Sequence, residues 1–133
     1  MDIALCAFCL PERKVVFAGA NRPLWRIRKD QLEVVSSDKL PIGGLQLERQ
    51  RKFTNHTLDL EPGDSVYLFS DGYADQFGGE AGKKLMTKKL KEILLSIREK
   101  PMSQQGQYLE DFVTSWRGRH EQVDDILVIG IRM

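Results

Sequence analysis

Gly63-Asp64-Ser65-Val66-Tyr67-Leu68-Phe69-Ser70-Asp71-Gly72-Tyr73-Ala74-Asp75 is a short apolar run that opens on a turn and stops abruptly at an acid and a glycine. From Val66 to Phe69 it is β-branched, aromatic and unbroken, the pattern of a strand buried on both faces. Asp71 therefore sits at the mouth of a buried strand. Ser70 and Gly72 bracket it with turn chemistry, and the glycine lets the backbone bend where a side chain would crowd it. A carboxylate held there is placed to bind a cation or a substrate. It could equally be an Asx-type turn that only caps the strand.

The last element repeats the arrangement from the other direction. Ile126-Leu127-Val128-Ile129-Gly130-Ile131 reads as a second doubly buried strand, entered directly from Val123-Asp124-Asp125. One strand leaves its acid at its C-terminal end, and the other carries its acids at its N-terminal end. Antiparallel pairing of the two would set these acids side by side. Gathered carboxylates repel one another and stay ionised with a cation among them. Oxygen ligands suit Mg²⁺ or Mn²⁺, which can polarise a phosphoryl oxygen, so the reaction class is metal-assisted hydrolysis. Zinc is disfavoured, because the two histidines and two cysteines show no ligand spacing.

Working outward, the N-terminal third alternates strands with tight turns. Asp2–Leu10 and Lys14–Ala18 form a hairpin about Pro11-Glu12-Arg13, and Leu24–Arg28 and Gln31–Val35 follow about Lys29-Asp30, giving a meander of short antiparallel strands. Cys6 and Cys9 have C-x-x-C spacing but lie on a strand, where residues three apart face opposite ways; they read as buried, unreactive thiols. Phe53–Leu60 resumes a period of two. It puts His56 on the face of Thr54, Leu58 and Leu60, a structural position with no nucleophile or ligand beside it. Further on, Met86, Leu90, Ile93, Leu94 and Ile97 predict an amphipathic helix over 83–99 whose lysines form a solvated face. After Pro101, Ser103 can cap a second helix lined by Leu109, Phe112, Val113 and Trp116 and closed by Gly118-Arg119-His120. Gly78–Lys84 has the wrong glycine spacing for a phosphate loop and reads as a flexible loop feeding the first helix.

Composition bounds the rest. The 133 residues suffice for one domain and are too few for two. With 20 basic and 19 acidic residues the net charge is +1, which disfavours nucleic acid and membrane as partners. The expected location is cytoplasmic, since no run approaches a membrane span and Met1-Asp2-Ile3-Ala4-Leu5 lacks the basic start of a signal peptide.

Four stretches, in order, carry a resemblance. Phe17-Ala18-Gly19-Ala20-Asn21-Arg22-Pro23-Leu24 is similar to an Asn-Ala-Gly-His-x-Pro-Pro-Leu loop, and Leu40-Pro41-Ile42-Gly43 to Leu-Pro-Leu-Gly. Ser70-Asp71-Gly72-Tyr73-Ala74-Asp75 is similar to Ser-Asp-Gly-x-x-Glu, with Asp75 in place of the Glu, and Val123-Asp124-Asp125-Ile126 to a closing Asp-Asp-Ile-Thr. Together they resemble the stage II sporulation protein E-type phosphatases, a bacterial branch of the metal-dependent type 2C protein serine/threonine phosphatases. The resemblance implies an α+β fold, a β-sandwich of antiparallel sheets with flanking helices. It also implies a binuclear Mg²⁺ or Mn²⁺ site that hydrolyses phosphoserine or phosphothreonine on a signalling protein. By position, Asp71 and Asp124 would be metal ligands, Asp125 a supporting group beside them, and Gly72 the residue that permits the turn.

The family's Gly-Asp-Phe-type and Asp-x-x-Gly-His-Gly motifs, which bridge the two metals, occur nowhere in the sequence. Residues 1–133 thus resemble the C-terminal half of the domain, with Met1–Leu5 similar to a strand from its middle. Metal should then bind weakly and hydrolysis by this segment alone should be poor. Open sheet edges and an exposed apolar face are expected, with homodimer formation as one way to cover them. The competing reading is a phosphatase-like module that binds a regulatory partner without turnover.

Overall fold

A computed structural model describes residues 1–44 and 52–133. Two antiparallel sheets organise the chain. The first has the order β1-β2-β5, from β1 (Ile3–Cys9), β2 (Lys14–Ala20) and β5 (His56–Asp59). The second has the order β4-β3-β6-β9, from β3 (Leu24–Arg28), β4 (Gln31–Val35), β6 (Ser65–Phe69) and β9 (Val128–Arg132). The hairpins at 11–13 and 29–30 form as expected, with Arg13 and Lys29 at φ 50° and 57°. The single meander does not form. β2 and β3 lie in different sheets, because Asn21, at φ 57°, and Pro23 turn the chain from one layer to the other.

The central strand shows why its sequence is apolar throughout. Val66 and Leu68 pack toward the first sheet, with Val15, Phe17, Leu24 and Val35. Tyr67 and Phe69 point the other way, into a cluster with Trp25, Leu90, Leu94 and Leu109 under the helices. Each face of β6 is thus a core face, as period-two geometry requires of a strand between two layers. His56 sits half-buried in the sheet layer, its ring 6.0 Å from that of Phe17.

Helices α2 (Thr87–Ser96) and α3 (Met102–Arg117) cover the outer face of the second sheet. The first is shorter than its apolar periodicity predicts. Lys83–Lys84 forms β8 against β7 (Phe77–Gly78), and Met86, at φ 76°, breaks the chain ahead of the helix and is exposed. The segment expected as a flexible loop is therefore an ordered hairpin, in which a Cβ on Gly78 would lie 2.0 Å from the Trp116 carbonyl oxygen. Pro101, not Ser103, occupies the cap position of α3, its fixed φ suiting a helix entrance.

The final strand starts two residues later than predicted and is an edge. It is half-covered, and Ile129 is 43% exposed. The outer side of β1 is likewise open among the described residues, with Leu5 at 65%. Cys6 and Cys9 do face opposite ways. Cys6 is half-buried, its thiol pushed up to about 11 by desolvation, whereas Cys9 is exposed and corrects the expectation of two buried thiols. No described helix is long and apolar enough to cross a membrane.

Candidate metal-binding site

β6 and β9 pair antiparallel, with Phe69 opposite Val128 at the end where the acids lie. This is the juxtaposition that the two apolar runs predict. Past the ladder, the Ser70 amide donates to the Leu127 carbonyl at 2.9 Å, and the Leu127 amide donates to Ser70 Oγ at 3.0 Å. Ser70 Oγ in turn donates to the Asp125 carbonyl at 2.7 Å. One serine thus stitches the strand end to the acidic loop.

Gly72 opens the short helix α1 (Gly72–Asp75) and packs flat on that loop. A Cβ here would lie 2.2 Å from the Asp125 carbonyl oxygen, so close approach and not backbone conformation demands the glycine. Asp125 contributes through its backbone. Its amide donates to Asp124 Oδ1 at 2.8 Å.

Asp71 and Asp124 line one cavity of about 360 Å³ between the open edges of the two sheets, with Asp2, Arg22, Leu68 and Ile129 among its other walls. A larger cavity of about 430 Å³ lies against α3, but Glu110 is the sole carboxylate lining it, and the paired acids do not reach it. Asp71 occupies the cap position of α1 without a side-chain capping bond. Instead both of its oxygens accept from Arg22, Nη1 to Oδ1 and Nη2 to Oδ2.

Arg22 Nη2 also lies 3.2 Å from Asp2 Oδ2, and Asn21 Nδ2 donates to Asp2 Oδ1 at 2.9 Å. The Asn21 bond, opposed by desolvation and helped by the Arg22 charge, holds Asp2 below the usual carboxylate range. Arg22 and Asp2 are the site residues that the sequence reading missed. The sequence assigns the acids a divalent ion as counter-charge and no arginine. The signal was available in the arginine of the Gly19–Pro23 loop, since clustered carboxylates call for a counter-charge.

Asp71 and Asp124, on a cavity that Asp2 also lines and that holds no thiol or imidazole, fit part of the shell of a hard divalent cation. Among the described residues no group of three or more acidic, histidine or cysteine side chains gathers to complete one.

The profile of the Stage II sporulation protein E (SpoIIE) family matches residues 3–133. The chain belongs to that family. Its fold is similar to the SiaA-PP2C domain of Pseudomonas aeruginosa, with a TM-score of 0.88 and 26% identity over 99% of this chain and 51% of that one. It is similar also to the phosphatase domain of SpoIIE from Bacillus subtilis in a Mn-presoaked crystal (TM-score 0.72, 17% identity, 99% and 56% covered). The serine/threonine phosphatase PstP/Ppp of Mycobacterium tuberculosis shares the fold at a TM-score of 0.63 and 13% identity, over 97% of this chain and 58% of that one. No curated protein matches the sequence. This SpoIIE-family chain spans about half the length of the solved structures it resembles, and the α+β architecture of antiparallel sheets with flanking helices is theirs.

Proposed function

We propose that residues 1–133 are the C-terminal part of a metal-dependent protein serine/threonine phosphatase domain. Its substrate class is a phosphoserine or phosphothreonine protein of bacterial signalling in the cytoplasm. The observation that carries the reading is the antiparallel β6–β9 pair, which sets Asp71 and Asp124 around one cavity. These two carboxylates would hold Mg²⁺ or Mn²⁺, and the manganese-presoaked SpoIIE domain of B. subtilis supports that choice of ion. When bound, the ion supplies Lewis acidity toward a phosphoryl oxygen and a nucleophilic water.

The chain's own residues do the positioning. Ser70 and Gly72 fix Asp71 against the Asp124-Asp125 loop, and Asp125 holds Asp124 through its amide. Two carboxylates make an incomplete shell, so this segment alone is at most a slow catalyst.

Phosphate release from a phosphoserine peptide, with Mn²⁺ and with a chelator, tests the reading. The expected result is slow release or none, with any release abolished by chelator and by Asp124→Asn. Release that persists with the metal removed would contradict it.

A further inference from the structure

We propose that Arg22 is an exchangeable internal cation, seated on Asp71 until a divalent ion displaces it toward Asp2. The proposal rests on the reading of Asp71 as a metal ligand and concerns what that ligand does before metal arrives. Three carboxylates, those of Asp2, Asp71 and Asp124, line the cavity against the single guanidinium of Arg22. The guanidinium takes both oxygens of Asp71 in a fork, a strong, charge-assisted hydrogen-bonding geometry. An ion seated on those same oxygens would lie within roughly 5 Å of the guanidinium charge, and the repulsion is strong wherever water is partly excluded. Arg22 is well covered, with 16% of its side chain exposed.

The backbone around Arg22 is fixed while its side chain has a second seat. Asn21 is held at φ 57°, with its amide donating to the Asp38 carbonyl at 2.8 Å. Gly19 packs so closely that a Cβ there would meet the Arg22 carbonyl oxygen at 2.3 Å, and Pro23 follows. A short swing of the side chain moves the guanidinium fully onto Asp2, whose Oδ2 is already 3.2 Å away. The same device keeps Asp71 neutralised in the metal-free chain and makes its release depend on the ion.

Mn²⁺ titration of the 133-residue chain, read from the loss of the free-ion paramagnetic resonance signal, tests the exchange. Arg22→Gln should tighten binding about tenfold, the worth of one partly exposed charge-assisted fork. The decisive variant is Arg22→Lys, which keeps the charge but offers a point donor in place of the fork. It should tighten binding several-fold. Equal affinity of Arg22→Lys and wild type, beside a tighter Arg22→Gln, would reduce the effect to simple charge repulsion and overturn exchange. Unchanged or weaker binding in both variants would make Arg22 a structural tie, again overturning it. If Asp71→Asn binds as wild type does, or no folded variant binds at all, the metal reading itself fails and the exchange falls with it.

Discussion

Asp64→Asn should lower folding stability by about 3 kcal/mol, the lower part of the range for breaking a buried charge pair, because Arg28 keeps some contact with water. Asp64 is 1% exposed at the turn into β6. It accepts from Arg28 Nε at 3.0 Å and Nη2 at 2.7 Å, and from the Glu61 amide at 2.9 Å. Its own carbonyl accepts from the Met133 amide at 2.9 Å, so the same turn anchors the end of the chain. An amide side chain of the same shape leaves the guanidinium short of its counter-charge.

The pH dependence of that contribution has a fixed sign. Burial pushes Asp64 up, but the Arg28 bonds, the Glu61 amide and the charges of Arg28 and Arg26 outweigh it and hold the group below the usual range. A depressed native value means that the stabilisation is complete above the unfolded value, about 3.9, and is lost as pH falls through the native one. Urea unfolding at neutral pH and in acid measures both effects. Asp64→Asn should lose stability at neutral pH and show a shallower acid slope. A change within about 0.5 kcal/mol at neutral pH, the range of ordinary surface substitutions, would contradict the assignment.

Gly72→Ala should cost about 3 kcal/mol, at the upper end for an overpacked position, because the obstacle is backbone. The new methyl would meet the Asp125 carbonyl oxygen at 2.2 Å, its carbon at 2.7 Å and Ile126 Cγ1 at 3.1 Å. Relief requires the acidic loop to move from the end of β6, which also breaks the Ser70 bonds to Asp125 and Leu127. Amide exchange at Ser70 and Leu127 should accelerate along with the loss of stability. Gly106, inside α3, is the control, because a methyl group there would meet nothing within 4 Å. Gly106→Ala should be neutral or stabilising by up to about 1 kcal/mol, since alanine suits a helix interior better. Equal effects at the two glycines would remove close packing as the explanation.

The fold was legible where one residue pattern admits one geometry. The unbroken Val66–Phe69 run reads as a strand between two layers, and its antiparallel pairing with β9 puts Asp71 and Asp124 on the wall of one cavity. Period alone misled where tertiary pairing competed with it. Met86 keeps helical spacing with Leu90 and Ile93, yet the β7–β8 hairpin takes up Lys83–Lys84 and turns Met86 to φ 76° ahead of the helix. Ile129 looks buried in sequence, but burial depends on a neighbouring strand, and β9 is the edge of its sheet. The need of clustered carboxylates for a counter-charge makes an arginine such as Arg22 a candidate, but its pairing with Asp71 and Asp2, far from it along the chain, shows only when the two sheets stack.

The central claim is that Asp71 and Asp124 act together on one divalent ion. Calorimetric titration of Mn²⁺ into the chain, beside Asp71→Asn and Asp124→Asn, measures it most directly. Weak binding that either substitution abolishes, in proteins that remain folded, is the predicted result. Binding that survives both substitutions, or a folded wild-type chain that takes up no Mn²⁺, would contradict the claim.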